Sequence, residues 1–153
     1  MGYQESESTT ELVKKNLWAL SNCVVDTAAT ASQFFGQTAL LNRVITLTES
    51  HSWAIRGEAL WVVSNALLMV KDEEMPARKL YEILEEHGEA IFPALHRNFI
   101  EFMENHVKET QLISNILSAF AHCLKLDMLP QAPTGEDSVA YTLGQLELPD
   151  SLE

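Results

Sequence analysis

At 153 residues and 46% apolar composition, the chain is long enough for one hydrophobic core and too short for two ordinary domains. Its net charge of −12, with only ten Lys and Arg, argues against a nucleic-acid backbone as partner. The longest apolar run, 59–70, is interrupted by Ser64 and Asn65 and is too short and polar to span a bilayer.

In chain order, residues 1–9 read as a disordered, polar and acidic leader without an apolar signal region. Thr10 and Glu11 supply a cap and first turn for a helix over 10–25, with Leu12, Leu17, Leu20 and Val24 on one face. A short helix over 28–35 ends at Gly36, and a second over 39–48 carries Leu40, Leu41, Val44, Ile45 and Leu47. After the polar turn at residues 49–52, a long helix runs over 53–71. The pattern then repeats at wider spacing. A connector at 72–76 leads to a helix over 77–86 that ends at His87-Gly88, and the next spans 89–104 with Pro93 near its start. A turn at Asn105-His106 precedes a last long helix over 107–126, with Ile113, Ile116, Leu117, Phe120 and Leu124 directed to a core. Residues 128–153 hold five acids, no bases and three of the five prolines. They read as an acidic tail in which a short helix over 137–146 would cover an exposed end of the fold.

Two of these long helices share a pentapeptide pattern. Trp18-Ala19-Leu20-Ser21-Asn22 and Trp61-Val62-Val63-Ser64-Asn65 each place Trp and Asn four residues apart, 43 residues from one another. Positions i and i+4 lie one above the other on a helix, and a period near 40 is the mark of stacked two- or three-helix repeats. One such pair reads more simply as core packing and a local backbone bond. Two pairs in register, with Leu20, Val63 and Leu67 already filling the buried side, favour a displayed ladder. Short helix, glycine, second helix, polar turn and long helix resembles an armadillo repeat, and the Trp/Asn pairs resemble the third helices of the importin-alpha family of nuclear-import adaptors.

The resemblance covers residues 10–127 and implies an all-α, armadillo-type right-handed helical-repeat solenoid of about two and a third repeats. It also implies a peptide groove in which Trp18 and Trp61 bound a slot for the stem and cation of Lys or Arg. Asn22 and Asn65, each with a carbonyl and an amide, would hold the backbone of an extended peptide. The last long helix departs from the pattern. Aligned on Ser-Asn it offers Gln111 and Asn115; a competing register places Ser118 and His122 there. The first is preferred because Ile113 and Leu117 then match Val63 and Leu67 as core residues. The family places acidic side chains beside its slots, and Glu58 and Asp26 are the candidates here.

The expected function is therefore non-enzymatic binding of an extended basic, nuclear-localisation-like segment. The alternatives are a scaffold for a folded partner and a fragment of a larger import adaptor. No catalytic motif or phosphate loop is present, and His51, His87, His96, His106 and His122 show no metal-ligand spacing, so no cofactor or metal is expected. Cys23 and Cys123, among apolar neighbours, read as two lone buried thiols of a reducing compartment, the cytoplasm or nucleus. Neither nucleic acid nor membrane is an expected partner.

Overall fold

The computed structural model describes residues 7–70, 78–105 and 108–125, and all regular structure among them is helical. Helix α1 spans Glu7–Val24, α2 Ala28–Gly36, α3 Thr38–Leu47, α4 Trp53–Met69, α5 Arg78–Glu104 and α6 Thr110–Leu124. The expected connector at 72–76 and the tail at 128–153 lie outside the described residues, as do residues 1–6 of the expected leader. The remaining leader residues, 7–9, are helical: α1 starts with Glu7, whose charge suits the positive end of the helix.

Local chemistry sets the boundaries of α2 and the start of α3. Thr27 caps α2, its Oγ1 accepting from the Thr30 amide at 3.0 Å. The Gln37 amide closes the end of α2 on the Phe34 carbonyl, and the Gln37 carbonyl then accepts from Leu41 in the first turn of α3. A single residue thus links the two helices, so Phe34, Phe35, Leu41 and Val44 all reach one core.

Helix α4 is the centre of the fold, packing most extensively against α1 and next against α6. Ile55, Ala59, Leu60, Val62, Val63, Ser64, Ala66 and Leu67 are buried and occupy rather more than half of its circumference. Each fully buried Leu or Phe contributes about 1.5–3 kcal/mol relative to exposure. Buried Ser64 returns its hydroxyl to the Leu60 carbonyl at 2.7 Å, so no polar atom is stranded there. The remaining strip carries Ala54, Gly57, Glu58, Trp61, Asn65 and Leu68.

The largest departure from expectation is α5. The break at His87-Gly88 does not occur; one helix of 27 residues runs straight through it and through Pro93. Leu80, Ile83, His87, Ile91, Ala94, Leu95, Asn98 and Phe102 form an unbroken buried stripe, and burying that stripe outweighs the local glycine and proline signals. Gly88 is itself buried, with an added Cβ meeting Phe92 at an ordinary 3.6 Å.

Several assigned faces also turn. Leu12 is 61% exposed rather than facing the core, Leu40 is exposed, and α6 buries Leu112, Ile116, Ala119 and Cys123 while Leu117 and Leu124 face outward. Ile113 and Phe120 pack only at the rim of the core. The rotation of α6 is set by Leu112, close enough to Gly57 that a Cβ there would meet it at 3.7 Å, and by Phe120, 6.2 Å from Phe92.

Cys23 is exposed, not buried, whereas Cys123 is fully buried and desolvation pushes its thiol up to about 12. At pH 8 only about one Cys123 thiol in ten thousand then carries the nucleophilic thiolate. Native protein is expected to take up one equivalent of iodoacetamide, at Cys23, and denatured protein two. Mass spectrometry of alkylated peptides checks this; rapid native labelling of Cys123 would refute the packing of α6.

Candidate functional site

The ladder residues come from three helices. The strip on α4 that escapes burial carries Glu58, Trp61 and Asn65, spaced three and four residues apart and hence on one face. On α1 the corresponding series is Lys14, Trp18 and Asn22, and on α6 it is Gln111, Asn115 and Ser118. Helix α4 packs against both other helices; Gln111, Asn115 and Ser118 of α6 and Lys14 of α1 share depressions with Trp61.

Trp61 divides this face into two depressions. The first, about 370 Å³, is lined by Trp61 with Thr110, Gln111, Ser114, Asn115 and Ser118. The second, about 280 Å³, is lined by the aromatic Trp53, Trp61 and Phe102, by Ala54, Gly57 and Leu112, and by Lys14, Glu58 and Glu109 as its charged groups. Trp18 lines neither. It stands 61% exposed on α1, so what flanks Trp61 is Trp53 on its own helix and the polar side of α6, where Trp18 was expected.

The asparagines are partly committed. Asn22 donates its Nδ2 to the Trp18 carbonyl at 2.8 Å, and Ser21 sends its hydroxyl to the same oxygen at 2.8 Å. Asn65 and Asn115 hold each other: Asn115 Nδ2 donates to Asn65 Oδ1 at 2.8 Å and to Ser64 Oγ at 2.7 Å. Both hydrogens of that amide are thereby used. Asn65 Nδ2 and Asn115 Oδ1 take no part in these bonds, and a donor and an acceptor are what one peptide unit needs. Gln111 and Asn115 therefore do sit beside Trp61, but Leu117 is exposed, so the core match that recommended this register is not its cause.

Electrostatics distinguish the second depression. Burial raises the Glu58 carboxyl above its ordinary value, the charge of Glu109 adds to the rise, and Lys14 opposes both. The Lys14 ammonium is itself held by Glu11 at 2.9 Å. Asp26, the other acidic candidate, is exposed in the turn after α1 and lines neither depression. Lys14, Trp53 and Glu109 line this face without having been singled out in the sequence, and Ser64 stood out there only as part of the repeated pentapeptide. Trp53, eight residues before Trp61 on the same long helix, was the signal available. Among the described residues no group of three or more His, Cys, Asp or Glu is placed to hold a metal ion. No helix among them is long and apolar enough to cross a membrane.

The chain matches no protein-family model, no curated protein and no solved structure.

Proposed function

We propose that the face formed by α1, α4 and α6 binds an extended basic segment of another protein, as a short armadillo-type right-handed solenoid of about two and a third repeats would. The observation that carries this reading is the Asn115–Ser64–Asn65 cluster. It ties neighbouring long helices together through their shared Ser-Asn positions and leaves the Asn65 Nδ2 and Asn115 Oδ1 groups outside those bonds. A peptide unit seated there gains two hydrogen bonds, each worth about 0.5–1.5 kcal/mol net. The exposed indole of Trp18 and the partly exposed one of Trp61 each offer apolar and cation-binding surface. The overall charge of −12 favours a basic partner by long-range attraction. Such a role involves no catalysis and places the protein where basic segments are carried, the cytoplasm or the nucleus.

Titration with a fluorescein-labelled, Lys/Arg-rich heptapeptide tests this. The expected result is micromolar binding that weakens with salt and falls about tenfold or more in the Trp61→Ala, Asn65→Ala double variant, the scale of losing one cation–π contact and one hydrogen bond. Binding unchanged by that double substitution would refute the reading.

A second reading has its own observation. Leu117 and Leu124 lie exposed on α6 on the side away from Asn115, 48% and 37% accessible. A scaffold that docks a folded partner along that edge would bind it independently of Trp61 and Asn65.

A further inference from the structure

Helix α6 carries two apolar seams. Leu112, Ile116, Ala119 and Cys123, spaced four, three and four residues apart, are buried in the core. Ile113, Leu117, Phe120 and Leu124 repeat that spacing one residue later, which turns the series about 100° around the helix. Ile113 and Phe120 are half-buried at the rim of the core, whereas Leu117 and Leu124 are exposed. A seam with this spacing is what a second helix sets its side chains into. We propose that residues 137–146 of the same chain cover it as a short helix antiparallel to α6, with Val139, Leu143 and Leu146 set against Leu124, Phe120, Leu117 and Ile113. The inference is independent of what the face of α1, α4 and α6 binds, and it closes the edge that a folded partner would use.

Spacing, reach and charge argue for this occupant. Residues 126–153 lie outside the described residues. In the sequence, Val139, Leu143 and Leu146 carry the same four-then-three spacing as the seam. A helix over 137–146 is about 15 Å long, against about 17 Å from Ile113 to Leu124. The connector, residues 126–136, can extend about 36 Å, enough to start the segment at either end of α6. Charge selects the antiparallel course. From Thr110 to Lys125 the chain has no acidic residue, and Lys125 is exposed next to Leu124. An antiparallel segment brings Glu136 and Asp137 toward Lys125; a parallel one would set them beside Glu109. The same two acids suit the positive end of the helix they begin. Because the segment is joined to α6, it acts at an effective concentration of about 1 mM, which a second copy reaches only in concentrated solution.

Engineered cysteines in the full chain test the docking. In a Cys23→Ser background, Leu117→Cys is combined with Leu143→Cys or, on the opposite side of the tail helix, with Gln145→Cys; native Cys123 is buried. In oxidised glutathione at micromolar protein, the 117–143 pair is expected to close an intramolecular disulfide about tenfold or more faster than the 117–145 pair, since the two share one tether and differ only in facing. A monomeric band of raised mobility on a non-reducing gel reads this out. Failure of Cys123 to take up iodoacetamide in each variant reports an intact fold. Equal rates for the two pairs would mean that the tail merely collides with α6, and would overturn the proposal. A disulfide-linked dimer as the main product of Leu117→Cys without a tail cysteine would overturn it in favour of a second copy on the seam. If neither pair closes, the seam is open to a folded partner and the tail does not cover it.

Discussion

Pro93→Ala stabilises the folded chain by about 2 kcal/mol. Pro93 lies inside α5, where it lacks the N–H that would bond to the carbonyl of Glu89 and where its ring crowds that carbonyl. In a helix interior, proline is about 3 kcal/mol less favourable than alanine. About 0.4–1 kcal/mol of the gain is returned, because alanine frees the unfolded chain. Pro93 is exposed, so no core contact is lost with its ring. For a chain of this size the change corresponds to a rise in Tm of about 4–8 °C. The experiment also decides between one helix and two. Were the chain broken just before Pro93, so that Pro93 stood in the first turn of a new helix, its missing N–H would cost nothing and its fixed φ would be an advantage. Thermal unfolding would then show Pro93→Ala to be neutral or destabilising, and the continuous α5 would be refuted.

That contrast marks where local signals stop being informative. His87-Gly88 reads as a helix stop because glycine is the usual residue just past a helix end. The buried stripe from Leu80 to Phe102 is a signal of longer range, and it wins because eight of its side chains must leave water together. Helix existence was legible wherever punctuation and periodicity agreed, as at Gly36 and in α2 to α4. Helix rotation was not. In α6 the apolar residues span a wide arc, and the choice between Leu117 and Leu112 as the inward residue is made by α4 and α5, which no pattern within α6 describes. The Trp and Asn positions were legible because they recur. Their state was not: Asn65 is engaged by Asn115, 50 residues later in the chain, and only the packing of α4 on α6 brings the two amides together. Glu109 was missed for the same reason, since nothing about an acidic residue before a helix says which depression that helix start will close.

Arg56→Met is the most damaging single change expected outside the apolar core, at about 3 kcal/mol. Arg56 points from the buried arc of α4 toward α5, where its Nε donates to Asn98 Oδ1 at 2.9 Å and its Nη2 to the Glu101 carboxylate. Asn98 is fully buried, and its own Nδ2 is spent on the Ala94 carbonyl at 2.8 Å. Methionine keeps the length of the stem but strands Asn98 Oδ1 without a donor, a desolvation cost of about 1–3 kcal/mol. It also ends the stacking on Trp53 and the pairing with Glu101. That pairing contributes less, at about 1 kcal/mol or below, because the Glu101 side chain is 35% exposed. Asn98→Leu by itself is costly for the reciprocal reason, leaving a largely buried guanidinium short of an acceptor. Combining the two removes donor and acceptor together, so the double variant is expected to lose about 1–2 kcal/mol less than the sum of the singles. Urea unfolding of the four proteins measures this coupling. Strict additivity would mean that Arg56 and Asn98 do not share a bond, and with that the polar link joining α4 to α5 would fall.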